Sequence, residues 1–305
     1  MKLSDLLEVK SRLKAVDMTS HAQCDQDLLE NLRSVAADSP PVDPNLLQSV
    51  ETAMLSKASV ANDAYSYLRN YIDRSILDLY PAYTKQSETW VSYLDKYDYD
   101  RWTDFYKEVY SADDGFIAHS AHRIGRLSNW QFPAAMYCAP IEQLADLFGF
   151  YPVYLIDKWR DASINIEGVY PAAQARKIRF YDFDRLKDFP MHSLGLVASR
   201  NHFTHCSEKQ LITELTWMVN ACLPGGHIVF NFNDCEYAKC ARLFETTTRS
   251  FLLGTKVREI CSSLNLTIKV WDYIEDSGTV WVEAQLPGTF VSKKRAEPLG
   301  KIQSK

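Results

Sequence analysis

The chain has 305 residues, 46% of them hydrophobic, and a formal net charge of −5, enough for one large or two modest domains with apolar cores. No run approaches the roughly twenty apolar residues of a spanning helix, and the opening MKLSDLLEVKSRLK lacks an apolar signal core, so a cytoplasmic, non-membrane protein is expected. The acidic balance disfavours a general nucleic-acid surface, and seven cysteines at 24, 138, 206, 222, 235, 240 and 261 read as buried apolar residues rather than a disulfide framework.

Residues 1–125 read as a helical N-terminal region or cap. Apolar residues return at helical spacing over 3–16 and 25–35, and ADSPPVDP at 37–44 interrupts them as a linker. Asp43 or Asn45 then caps a long helix passing through Leu46, Val50, Met54, Tyr71 and Ile72, which Pro81 is expected to end. An aromatic segment over 90–110 reads as a helix packing on a neighbouring surface, with a substrate lid or partner surface as the alternative.

From 126 to 290 strands and helices alternate. Strands are expected over 131–140, 151–157 and 177–184, with a helix over 141–150. A fourth strand opens the stretch LGLVASRNHFTHCSEKQLITELTWMVNACLPGGHIVFNFND. Ser207 and Gln210 form a capping box there for a helix carrying Leu211, Leu215, Met218 and Cys222. Pro224, Gly225 and Gly226 break that helix before a fifth strand at 228–232, and a crossover of this length predicts a parallel pair. A helical region over 237–264, broken near Gly254, precedes two strands at 266–274 and 279–286 that form a hairpin at the sheet edge. The expected fold is an open α/β sheet, mostly parallel, with its pocket at the strand ends near 139, 157, 182, 199 and 231. Residues 291–305 form a basic tail: Lys293, Lys294, Arg295, Lys301 and Lys305 against Glu297 give +4 and leave −9 elsewhere. Such a tail reads as a solvated terminus, or as an anchor for an acidic partner.

The order of motifs resembles the class I S-adenosylmethionine-dependent methyltransferases over about 132–287. Three segments carry the resemblance: YLIDKW with Asp157 ending the second strand, FYDFDRLKDFP with Asp182 and Asp184 after the third, and CLPGGHIVF leading into the fifth. It implies a Rossmann-like sheet with S-adenosyl-L-methionine as cofactor. Asp157 would grip the ribose diol, beside Lys158, because two accepting oxygens suit vicinal hydroxyls. Asp182 or Asp184 would face the adenine, with Phe183 between them; Cys138, Ala139 and Ser199 would complete the contact. His202 and His205 are the weak candidates for proton transfer near neutral pH.

Two departures bear on activity. The turn after the first strand reads Tyr137, Cys138, Ala139, Pro140, where the family has glycines that let the cofactor approach. Gly195 stands where the family often has an acid. Two function classes follow: a methyltransferase with an unidentified acceptor, or an inactive methyltransferase-shaped module serving as a structural or interaction protein in a larger assembly. A dinucleotide-dependent oxidoreductase ranks third, since GxGxxG is absent. Zinc is a lesser alternative, because Cys206 follows His202 and His205 and Cys235 and Cys240 lie further on, but no cysteine pair has CxxC spacing, so no metal is expected.

Overall fold

The computed structural model describes residues 2–15, 58–94, 114–129, 131–139, 141–157, 166–247 and 249–289. The helix expected over 25–35, the 37–44 linker, the capping residues Asp43 and Asn45, most of the aromatic segment and the basic tail lie outside them.

One seven-stranded sheet organises the chain. Its strands are β1 Ala134–Tyr137, β2 Val153–Asp157, β3 Ile178–Asp182, β4 Leu194–Ser199, β5 Cys222–Phe232, β6 Thr267–Ile274 and β7 Thr279–Gln285. The spatial order is β3-β2-β1-β4-β5-β7-β6. β1 to β5 run parallel, and β7 pairs antiparallel with both β5 and β6. The four parallel strands nearest the centre read as apolar runs because both faces are covered, and every residue of β1 and β4 is buried.

Two apolar layers cover the sheet. On one face α6 Glu208–Ala221 and α8 Gly254–Ser263 pack through Leu211, Leu215, Met218, Val257 and Ile260. On the other, Met136, Leu144, Leu147, Leu155, Leu196 and Trp281 pack together with Ile124 of α3 Asp114–Arg126. Arg123 ties α3 to the hairpin through Asp272 at 2.5 Å and Glu283 at 3.1 Å. The helices described between β2 and β3 are short, α4 Ile166–Val169 and α5 Ala172–Ala175.

The N-terminal helices share a third cluster with the α/β region. Leu3, Leu6 and Leu13 of α1 Leu3–Ala15 meet Leu68, Ile72 and Ile76 of α2 Ala58–Leu94, and Phe244 of α7 Ala238–Thr246. Glu245 of α7 caps α1: it accepts from the Leu3 amide at 2.7 Å, the Ser4 hydroxyl at 2.6 Å and the Tyr83 hydroxyl at 2.9 Å. A carboxylate there satisfies orphan amides and complements the helix dipole. Glu245→Ala is therefore expected to cost about 1–3 kcal/mol in urea denaturation, and Glu245→Gln less. An unchanged midpoint for both would rule out the cap as a fastener of α1.

Four expectations need correction. Pro81 does not end its helix: α2 runs on to Leu94. Pro81 removes the amide that would bond Leu77, but both residues are exposed, so water can take that carbonyl. Ile141–Leu147 forms a tight 3-10 segment rather than an α-helix. Pro224–Gly226 do not separate helix from strand: β5 starts at Cys222 and bulges, its partners stepping from Leu194 opposite Cys222 to Leu196 opposite His227. The bulge is held by the Gly225 amide on the Pro287 carbonyl at 3.0 Å. Gly254 begins α8 rather than breaking one helix, because α7 has already ended at Thr246. At Gly195 an added Cβ would lie 2.7 Å from the Phe132 Cβ, which is why no side chain, acidic or otherwise, stands there.

Candidate functional site

The carboxyl ends of β1, β2, β3 and β4 meet where the strand order reverses between β1 and β4. At the end of β1 the Cys138 amide bonds the Ile156 carbonyl at 2.8 Å, and Cys138 then adopts a left-handed conformation, φ 47°. A non-glycine residue seldom holds that conformation unless its surroundings impose it. Cys138 and Ala139 are both buried. Asp157 ends β2, also buried, and pairs in register with Asp182 at the end of β3. Phe183 opens the 3-10 segment Phe183–Asp188, which contains Asp184, whose side chain lies outside the described parts, as does Lys158.

Beside these ends lies a pocket of about 910 Å³. Cys138, Phe183 and His202 line it, together with Tyr137, Trp217 and Glu214. Its wall is aromatic: Tyr137 stacks on Trp217 with centroids 5.4 Å apart and meets Phe183 and the His202 ring at 5.6 Å each. Burial, reinforced by nearby acidic groups including Glu214, pushes the Tyr137 phenol far above its ordinary value, so it stays neutral. Lys187 and Lys209 supply positive charge at the lining.

The sequence-derived residues divide accordingly. Cys138, Phe183 and His202 come together in the pocket, whereas Ala139, Asp157, Asp182 and Ser199 are at the strand ends outside its lining. Ser199 donates its hydroxyl to the Tyr137 carbonyl at 3.1 Å, fastening β4 to β1. His205 is half-buried and does not join His202 at the pocket.

Three groups went unread in the sequence. Glu214 accepts from or shares a proton with His202, Oε2 to Nε2 at 2.5 Å, and the same nitrogen lies 3.3 Å from the Cys206 sulfur. The signal was available: with Ser207 as N-cap, Glu214 stands two turns into α6, on the face of Leu211 and Leu215. Arg200, directly after β4, is wholly buried and pairs with Asp146 of the 3-10 segment after β1. Asn201, at φ 59°, forms a reciprocal pair with Asn231 of β5, amide to carbonyl at 2.7 and 2.8 Å. The six described cysteines are buried and none forms a disulfide; Cys24 lies outside the described residues.

The sheet is of the kind that the resemblance in the sequence implies: Rossmann-like, mostly parallel and closed by a reversed terminal hairpin. No family model matches the sequence, and no curated protein is detectably similar to it. Among solved structures, a protein from Bordetella parapertussis is 16% identical, with 57% of this chain and 68% of that one covered and a TM-score of 0.47. A methyltransferase solved with the Haloferax volcanii Trm112 methyltransferase activator is 15% identical (57% and 95% covered, TM-score 0.46). The N-methyltransferase NodS of Bradyrhizobium japonicum, solved with S-adenosyl-L-homocysteine, is 19% identical (58% and 90% covered, TM-score 0.44). No helix among the described residues is long and apolar enough to cross a membrane.

Proposed function

We propose that this chain is a cytoplasmic S-adenosylmethionine-dependent methyltransferase whose cofactor lies across the carboxyl ends of β1, β2 and β3. The supporting observation is that Cys138, Phe183 and His202 line one pocket beside the in-register acids Asp157 and Asp182. The residues present fit the cofactor in two respects. Asp157 offers a carboxylate to a vicinal diol at the end of β2. Cys138 makes without glycine a left-handed turn at the end of β1, where the family has glycines. When bound, the cofactor supplies a sulfonium methyl whose leaving group needs little acid assistance. The chain's own work is then positioning. Asp157 holds the ribose end, with Lys158 beside it, and Asp182 or Asp184 with Phe183 orients the adenine. Ala139 and Ser199 set the β1 and β4 ends. The aromatic wall of Tyr137 and Trp217 excludes water around an acceptor, with His202 as its polar contact.

A second reading is favoured by one observation: Arg200 and Asp146 tie the end of β4 to the segment after β1, across the reversal point. A methyltransferase-shaped module without catalysis would keep that clasp closed and act through its surfaces, the aromatic segment and the basic tail offering contacts to an acidic partner. Calorimetric titration with S-adenosylmethionine and S-adenosylhomocysteine separates the two. Micromolar binding, weakened at least about tenfold, or roughly 1.4 kcal/mol, by Asp157→Ala, is the expected result. No heat at millimolar ligand would remove the enzyme reading and leave the module.

A further inference from the structure

We infer that His202, Cys206 and Glu214 form a zinc-binding site whose open coordination position faces the aromatic pocket. The three donor atoms, one imidazole nitrogen, one sulfur and one carboxylate oxygen, lie within 4.8 Å of one another. They converge on a single point. His202 Nε2 is 2.5 Å from Glu214 Oε2 and 3.3 Å from Cys206 Sγ, so both partners meet the same ring nitrogen. A cysteine nucleophile with a histidine base oriented by an acid needs both ring nitrogens, one for each neighbour. Convergence on one nitrogen is instead the arrangement of donors around an ion.

The spacing suits zinc. With metal bonds of about 2.0–2.3 Å, tetrahedral ligands sit roughly 3.3–3.6 Å apart. The Cys206 to His202 separation already matches, and the His202 to Glu214 pair must open by about 1 Å. A thiolate and a carboxylate balance the ion's two charges, so the loaded site is neutral. The frame around it is fixed locally. The Ser207 and Gln210 capping box sets the start of α6, and Thr204 holds its 3-10 turn through the Asn201 carbonyl at 2.5 Å. Cys206 and Glu214 are buried, while His202 and Glu214 line the pocket. Three protein ligands with a fourth position open to a cavity is the layout of a reactive rather than a structural zinc site. The position would take water, or the oxygen or sulfur of a small acceptor, and would lower its pKa as bound metals do.

The site shares His202 with the acceptor side of the proposed function but none of its three ligands is a cofactor residue, so metal binding is tested without the cofactor. The full chain, stripped by chelator dialysis, is titrated with cobalt(II) and followed by absorbance. The expected result is one equivalent bound, a thiolate-to-cobalt band in the near ultraviolet, visible bands of tetrahedral cobalt, and displacement of both by zinc. Cys206→Ser abolishes the near-ultraviolet band. Glu214→Gln keeps it but weakens affinity at least about tenfold, or roughly 1.4 kcal/mol. Cys261→Ser, on α8, leaves spectrum and affinity unchanged. A wild-type spectrum without the charge-transfer band would overturn the proposal and leave His202 and Glu214 as a hydrogen-bonded pair. So would a band that survives Cys206→Ser. Near-ultraviolet circular dichroism of each stripped variant confirms that the comparison is between folded proteins.

Discussion

Asp146→Ala is expected to lower the unfolding free energy by about 3–5 kcal/mol, because it strands the Arg200 guanidinium without its counter-charge. Arg200 has no solvent exposure, and its Nε and Nη1 have no hydrogen-bond partner among the described residues. Burial pulls its pKa below the usual arginine value, with Asp146 opposing that pull. The same logic predicts an asymmetry. Arg200→Met alone leaves the buried Asp146 Oδ2 without its cation and is expected to destabilise by less than Asp146→Ala, since the Asp146 side chain keeps 18% exposure, whereas removing both charges together is expected to cost little. The double variant should recover most of what Asp146→Ala loses. Denaturant midpoints at constant slope measure all three. If the double variant is as unstable as Asp146→Ala, the loss comes from the 3-10 segment itself, not from the stranded charge.

Much of the fold was legible because burial leaves a period in the sequence. The parallel strands are short continuous apolar runs between turn signals, and the runs at 194–198 and 228–232 with the capped helix between them mark β4, β5 and α6 on those grounds. The hairpin at the edge followed from Glu275 to Gly278 between two β-rich runs, and Gly278 there does take φ 59°. What failed was decided by solvent or by distant pairing. Pro81 reads as a helix end only if its missing bond matters, and on an exposed face it does not. The Pro224–Gly226 bulge is stabilised by residues 285–287, some sixty positions away, which no local window contains.

The site was less legible, for a physical reason. A strand end marks where a side chain starts, not what it meets. Phe183 and His202 share a pocket because 3-10 segments, not α-helices, follow β3 and β4, leaving room against α6. Glu214 reads as one more polar residue of an amphipathic helix until the turn at 202–206 is folded against it. Arg200 reads as the start of a loop, although it is among the largest fully buried side chains. The glycine-free turn at 137–139 was legible as a departure, and its left-handed backbone was not, since cysteine gives no hint of it.

Asp234 makes the stability of this protein depend on pH in an unusual direction. It is buried, and its Oδ1 accepts from the amides of Gly254 at 2.8 Å and Glu236 at 3.0 Å, so it pins the start of α8 to the end of β5. The fit is close: a Cβ at position 254 would sit 2.1 Å from Oδ2, which is why glycine stands there. Desolvation raises its pKa to about 6, with Glu236 adding to the rise and the two amides and Arg258 opposing it. The folded state therefore binds a proton that the unfolded state, titrating at 3.8, has already released. That contribution is fully present below the unfolded value and is lost as pH rises through about 6, amounting to about 3 kcal/mol. Asp234→Asn keeps an oxygen acceptor for both amides and has nothing to ionise. Its stability relative to the natural protein should climb between pH 4 and pH 7 by about 2–3 kcal/mol. Urea denaturation of both proteins across that range is the measurement. A difference that stays flat with pH would mean that the Asp234 carboxyl titrates as it does in the unfolded chain, and that its charge is stabilised by the helix start it caps.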